Sequence, residues 1–331
     1  MSALFDERLR SDLAERRLRL AEAVTLQPEA RDYQALLSEV DAALARMEAG
    51  TFGLCETCHD PIEADRLASD PLLRRCIDHL NASERRVLEQ DLELASRIQL
   101  GLLPPCDVSA QGWEIAYHFE PYGHVGGDYV DVVRPDPPGG SLYFLLGDVS
   151  GKGVAASLLM SNLHATIRSL SSVGLTVEEL LTRANRLFCQ HTLDTHYATL
   201  VCGRSVAPGV IELSNAGHWP VAHVCRTQTR FIDSSGLALG MFCGSEYRHQ
   251  QLRLDPGDFL VLYTDGLTEA QNRAGEDYGT DRLAAHLAGL AWQPGLTARD
   301  LTAACVRDLA AFRGGAPASD DLTIMVVRRA E

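Results

Sequence analysis

The sequence predicts an α+β protein, a layered sandwich of strands and helices preceded by a helical hairpin and a small cysteine-rich finger. Three observations predict it. Strand-like runs adjoin in pairs around a helical pair, where a doubly wound sheet would alternate strand and helix regularly. Four short aspartate motifs follow one another along the C-terminal two-thirds: Gly126-Gly127-Asp128, Gly147-Asp148-Val149-Ser150-Gly151-Lys152-Gly153, Thr264-Asp265-Gly266 and Ser319-Asp320-Asp321. Near the N-terminus, Cys55-Glu56-Thr57-Cys58 and Cys76-Ile77-Asp78-His79 form two ligand pairs with 17 residues between them.

A chain of 331 residues with 46% apolar content can bury two cores, or one large core with an appendage. No apolar stretch approaches the roughly 20 residues of a membrane helix, and the polar start is no signal peptide. A soluble, cytoplasmic protein is expected, with no membrane partner. A net charge of −15 argues against a general nucleic-acid or anionic-lipid surface. Nine cysteines, an odd count in a long chain of this kind, speak against a disulfide scaffold.

Residues 1–50 read as a helical hairpin. Leu9, Leu13, Leu20 and Val24 recur at helical spacing, Pro28 interrupts, and Tyr33, Leu36, Leu37, Val40, Leu44 and Met47 line a second helix that ends at Gly50. Residues 51–80 hold the two ligand pairs. Thiolates from Cys55, Cys58 and Cys76 with the imidazole of His79 suit one closed, tetrahedral structural Zn²⁺. Cys55 to His59 also spells C-x-x-C-H, the covalent haem pattern, which leaves the second pair without a role. A reduced, metal-free loop is the remaining alternative. The stretch 42–55 (AALARMEAGTFGLC) with Pro61-Ile62 resembles the DksA/TraR zinc-finger family, with His79 where that family usually has a fourth cysteine. That family acts on RNA polymerase through acidic residues at a coiled-coil tip. Here the tip offers only Glu29, so a sensory or docking module is expected instead.

Residues 81–104 form a linker. Ser83 is the candidate N-cap of a helix over 83–103, with Leu88, Leu92, Ala95 and Leu102 at a/d-like positions, Gln99 as the polar exception and Pro104-Pro105 as the stop. Three heptads are marginal alone. A homodimeric coiled coil and a single helix lying on the next domain both fit.

Residues 105–331 make the fourth region. Strands are expected over 113–119, 142–148, 197–201, 210–214, 259–263 and 322–327, and helices over 154–171, 177–193, 281–289 and 298–312. Each aspartate motif alone is ordinary turn chemistry. Four together need another reason, because convergent carboxylates repel and resist burial. Hard divalent cations remove both problems, since Mg²⁺ and Mn²⁺ take oxygen ligands in octahedral geometry. The run 147–153 fails as a nucleotide-binding P-loop, with one residue too few between its glycines and Gly153 where a metal-holding hydroxyl would stand.

Ala95-Ser96-Arg97-Ile98-Gln99 with Leu102-Leu103-Pro104, the four aspartate motifs and Asn215-Ala216-Gly217-His218 resemble the bacterial PPM-type (type-2C-like) serine/threonine phosphatases of the SpoIIE/RsbU branch, over residues 83–329. The resemblance implies an α-β-β-α layered sandwich with two Mn²⁺ or Mg²⁺ ions at one end. By position, Asp128 would bridge both ions, Asp148 and the carbonyl of Val149 would bind the first, and Asp265 and Asp320 the second. Asp128 and Asp148 are the expected catalytic pair, acting through an ion-activated water with no covalent phosphoenzyme. Asp131, Asp321, His218 and Lys152 are candidates for supporting positions around the ions. The implied activity is dephosphorylation of phosphoserine or phosphothreonine on a regulatory protein, such as an anti-sigma-factor antagonist in a partner-switching pathway, controlled by the N-terminal module. Two other readings stand beside it. One is a zinc-finger adaptor on transcription machinery with an inactive phosphatase-like domain; the other is a redox sensor built on Cys55, Cys58 and Cys76.

Overall fold

The computed structural model describes all residues except 1–2, 28, 64–65, 68–69, 135–139, 193–194, 227, 291–292, 294 and 331. Pro28 and the expected end of the 177–193 helix therefore lie outside the described residues. The chain divides into two compact units, Met1–Asp91 and Leu92–Glu331.

In the first unit, helix α1 (Ala3–Leu26) packs against α2 (Arg31–Glu48). Leu13, Val40 and Ala43 are the buried centre of the hairpin, flanked by Leu20, Leu44 and Met47, so most of the predicted stripe packs, while Tyr33 at its start stays exposed. An Arg17–Asp41 ion pair ties the two helices on their wet side, where such pairs contribute little. The finger follows. Ile62 donates its N–H to the Gly53 carbonyl, Cys55 to that of Asp60 and His59 to that of Cys55, which closes a tight knuckle. His59 takes the left-handed conformation at φ 62° and points to solvent, away from the ligand cluster.

Helix α3 (Ala82–Leu102) contains the boundary between the units. Its cap is Asn81, not Ser83: the Asn81 side chain accepts from the Glu84 N–H at 2.8 Å, and the Glu84 carboxylate accepts from the Asn81 N–H at 2.9 Å. This reciprocal box satisfies two orphan donors at once, which Ser83 could not do from inside the first turn.

The second unit is a two-sheet sandwich. One sheet runs β1 (Asp107–Ala110), β2 (Trp113–Glu120), β11 (Leu322–Arg329), β10 (Phe259–Tyr263), β7 (Val221–Val224), β8 (Thr229–Ile232). The other runs β3 (Asp128–Val133), β4 (Tyr143–Val149), β5 (Ala198–Ala207), β6 (Val210–Ala216), β9 (Gln250–Arg253). Within each sheet every strand is antiparallel to its neighbours.

Alternation along the strands builds three hydrophobic layers. Phe144 and Leu146 of β4 point between the sheets, where they join Leu260, Leu262, Met325 and Val327. Leu145, between them, points outward onto α4 (Gly153–Ser171) and α5 (Val177–His191) through Leu163, Ile167, Leu181 and Phe188. On the far side Val261, Ile324 and Val326 meet α7 (Gly279–Leu290) and α8 (Ala298–Arg313) through Leu283, Leu287, Leu301 and Cys305. Burial on both faces explains why the central strands read as continuous apolar runs. At roughly 1.5–3 kcal/mol per buried Leu or Phe, these layers carry the fold. The α-β-β-α sandwich matches the expectation. Short helix α6 (Asp265–Thr268) follows β10 directly.

Cys189 on α5 pairs with Cys243 as a disulfide, which the cysteine count did not suggest. Cys55, Cys58 and Cys76 stand outside any disulfide.

Candidate metal centre

Two sites bring motif residues together. In the finger, ligand atoms of Cys55, Cys58, Cys76 and His79 all lie within 4.8 Å of one another, the one such group among the described residues. Cys76 Sγ stands 3.8 Å from Cys58 Sγ and 3.2 Å from His79 Nδ1. Cys55 and Cys76 are buried against Ile62 and Leu67, so the cluster is the core of the finger and closed in the manner of a structural site. Three sulfurs and one nitrogen, soft to borderline donors, fit Zn²⁺.

The aspartates gather at one end of the sandwich. Asp128 opens β3 and lies directly opposite Asp148 on β4. Asp265 follows β10, and Asp320-Asp321 precede β11, the antiparallel neighbour of β10. The two sheets are joined here by buried hydroxyls. Thr264 Oγ1 and Thr323 Oγ1 donate to Asp128 Oδ2 at 2.9 and 2.6 Å. Asp128 Oδ1 is buried with no hydrogen-bond partner.

Electrostatics record the crowding. Burial first, then the charge of Asp148, pushes the Asp128 carboxyl well above the usual carboxylate range. Burial, then Asp265, Asp320 and Asp321, pushes Asp148 up to about 7. Burial and Asp320 also raise Asp265. The carboxylates are spread more widely than the zinc ligands, and Asp320 turns to Lys152, whose Nζ lies 2.6 Å from its Oδ2 and 2.9 Å from the Ser319 carbonyl. An all-oxygen donor set, mutual repulsion and a buried oxygen without a partner fit hard divalent cations. The Val149 carbonyl faces the same turn: a Cβ on Gly127 would come within 2.8 Å of it and 3.4 Å of Asp148 Oδ1.

Asp321 holds the turn itself. Its carboxylate accepts from the N–H groups of Tyr122 at 2.5 Å and Gly127 at 2.7 Å. A Cβ on Gly126 would lie 2.5 Å from that carboxylate, and one on Gly266 would lie 1.9 Å from the Asp321 carbonyl. Two of the glycines beside the aspartates are therefore required by close approach to a single residue.

His218 is buried with both ring nitrogens engaged. Nε2–H donates to the Tyr263 carbonyl at 3.1 Å, and Nδ1 pairs with Thr199 Oγ1 at 2.8 Å. Burial drives its pKa down to about 4, so it stays neutral. Thr199 lies opposite Asp148 on β5. His218 thus braces the strands that carry Asp148 and Asp265.

Asp131 is a correction. It stands on the opposite face of β3 from Asp128, because three residues along a strand reverses the side-chain direction. It is fully buried toward the helices and accepts from Arg168 of α4 at 2.7 and 2.6 Å and from Tyr129 Oη at 3.1 Å. It anchors α4 and takes no part in the carboxylate cluster. Gln99, by contrast, is more than a break in a seam. Its Nε2 donates to the Gly126 carbonyl at 2.7 Å and its Oε1 accepts from the Gly126 N–H at 3.0 Å. Sequence reasoning missed Thr264 and Thr323. A hydroxyl just after one buried apolar run, and another at the start of the next, each within two residues of a motif aspartate, were the available signal.

The comparisons bear on both sites. Residues 138–330 match the family described as stage II sporulation protein E, and residues 50–78 match the prokaryotic DksA/TraR C4-type zinc finger. The chain is 26% identical over 191 residues to the phosphoserine phosphatase RsbU of Bacillus subtilis, covering 57% of this chain and 56% of that protein. Across the first curated relatives it spans between 35% and 56% of their length. Among solved structures it is similar to the SiaA-PP2C domain of Pseudomonas aeruginosa, with TM-score 0.64, 21% identity and coverage of 75% of this chain and 99% of that one. It is also similar to the RsbU and RsbW domains of Rv1364c from Mycobacterium tuberculosis, with TM-score 0.56, 28% identity and coverage of 69% and 61%. The chain belongs to the stage II sporulation protein E (SpoIIE) family, here with a DksA/TraR-type zinc finger near its N-terminus.

Proposed function

We propose that this chain is a metal-dependent phosphatase acting on phosphoserine or phosphothreonine of a regulatory protein. The observation that carries the reading is Asp128: buried, opposite Asp148, and holding one oxygen with no hydrogen-bond partner. Asp128, Asp148, the Val149 carbonyl, Asp265 and Asp320 would hold two Mn²⁺ or Mg²⁺ ions. Bound there, such ions would offset the carboxylate charge, lower the pKa of water and neutralise charge on a transferring phosphoryl group.

The chain's own residues prepare that centre. Thr264 and Thr323 fix Asp128 by its Oδ2, which leaves Oδ1 committed to the cluster. Asp321 holds the Gly126–Gly127 turn from behind, and Gln99 secures it from α3. The Lys152 ammonium is largely exposed and sits at the mouth beside Tyr122. Released from Asp320, it can meet a phosphoryl oxygen.

The finer reading rests on family likeness. The substrate is taken to be an anti-sigma-factor antagonist in a partner-switching pathway, and the zinc-finger module is taken to regulate the activity. Exposed Val87, Leu94 and Ile98 along α3 support a homodimer through that helix. Asp148→Asn should abolish Mn²⁺-dependent phosphate release from a phosphoprotein while circular dichroism stays unchanged. Full activity in that variant would exclude the mechanism.

A further inference from the structure

A cleft of about 610 Å³ opens beside the carboxylates. Lys152, Asp320, Trp219, Glu269 and Asp277 line it, with Glu269 and Asp277 exposed and Trp219 half-buried. The volume is within the range of ligand-binding clefts. It exceeds what a phosphoryl group needs and would admit a few residues of peptide. Thr268, which lines it, is 3% exposed and its Oγ1 has no hydrogen-bond partner. A buried hydroxyl without a partner beside an open cleft marks a place for a polar ligand atom.

The charge of the cleft selects its occupant. Lys152 already faces Asp320. Glu269 and Asp277 have no cationic partner among the described residues; Asp277 accepts only from Gln271 Nε2 at 3.1 Å. Two uncompensated carboxylates sharing a cleft with a half-buried indole suit one kind of side chain, a Lys or Arg whose stem lies on the ring while its charge meets the carboxylates. We infer that this cleft is a docking subsite for the chain flanking the phosphorylated residue, and that it selects protein substrates with a basic side chain beside the phosphoserine. The inference rests on the phosphatase reading above and adds the sequence preference.

The test compares phosphoserine peptides of equal length carrying Arg, Ala or Glu beside the phosphoserine, with the full chain and Mn²⁺. p-Nitrophenyl phosphate reports the centre without flanking residues. The Arg peptide should show a kcat/KM roughly tenfold above the Glu peptide, mostly through KM, and the gap should shrink with added salt. The Arg-to-Glu ratio, measured within each variant so that any general loss cancels, should fall toward one in Glu269→Gln/Asp277→Asn. It should invert in Glu269→Lys/Asp277→Lys. Equal rates for the three peptides, a preference for the Glu peptide, or a ratio unchanged in the neutral double variant would overturn the inference. If p-nitrophenyl phosphate is hydrolysed in that outcome, the phosphatase reading survives alone. If no substrate is hydrolysed, both fail.

Discussion

Asp321 and Gly127 meet across 194 positions of sequence, carboxylate oxygen to backbone nitrogen at 2.7 Å. The contact joins the start of β11 to the turn before β3, so it fixes one sheet to the other at the edge of the carboxylate cluster. Asp321→Ala would leave the N–H groups of Gly127 and Tyr122 without their acceptor. The Gly127 N–H is buried, and an orphan of that kind costs about 1–3 kcal/mol. Urea unfolding should show a loss of that order, together with weaker Mn²⁺ binding by calorimetry. Asp321→Asn keeps one acceptor oxygen and should fall between.

Thr264 and Thr323 give a prediction about affinity. Both hydroxyls donate to one oxygen of Asp128. Replacing either by Val keeps the shape and removes a donor that orients Asp128, the proposed ligand. Groups of this kind typically alter metal affinity by roughly 10–100-fold. Thr323→Val should therefore weaken Mn²⁺ binding by calorimetry with little change in circular dichroism. Unchanged binding would show that the hydroxyls serve packing alone.

The carboxylate cluster makes stability depend on pH. The Asp148 pKa is raised in the fold to about 7, burial first and neighbouring aspartates second. A raised carboxyl stabilises the fold fully below its unfolded pKa near 4, and that contribution is lost as pH climbs toward 7. Without divalent ions, urea midpoints should decline from about pH 4 to pH 7 on account of this group. Asp148→Asn should flatten the decline. Added Mn²⁺ should restore stability most at the upper end, where the carboxylates are ionised, and should release protons on binding.

Gln99 closes both hydrogen-bonding groups of Gly126. Gln99→Ala would leave a buried N–H and C=O unpaired, at about 1–3 kcal/mol for each group. Gln99→Leu should lose as much despite its similar volume. A loss no larger than that of an exposed Gln would mean that water replaces the side chain at Gly126.

The zinc ligands give a separate test. Cys76→Ser should lower bound zinc below one equivalent, whereas His79→Cys should retain it, since sulfur and imidazole are both competent ligands. Loss of the ion should raise hydrogen exchange across residues 51–80, because the ligands are the core of that finger.

The local code of the chain settled what depends on local chemistry. Ligand spacing gave the four residues that gather in the finger, glycine beside aspartate gave the carboxylates that gather at one end of the sandwich, and apolar periodicity gave α1, α2, α4, α5 and the six buried strand runs. It missed β1, β7, β8 and β9, each of four residues, too short for a period to register. It also read β3 as a motif when the same residues are a strand.

The rest depended on packing. Asp131 follows one motif closely and Asp321 ends another, and nothing local separates their fates. The alternation of β3 sends Asp131 toward Arg168 and away from the cluster, while the pairing of the sheets brings Asp321 onto Gly127. Gln99 looked like a flaw in a seam until the fold set Gly126 against it. Cys189 and Cys243 became partners only through the seating of α5. Sequence by itself determines which atoms are available and over what short range they repeat. Which distant atoms meet is decided by how the layers close, because burial rewards any complementary contact and hydrogen bonds then select among those within reach.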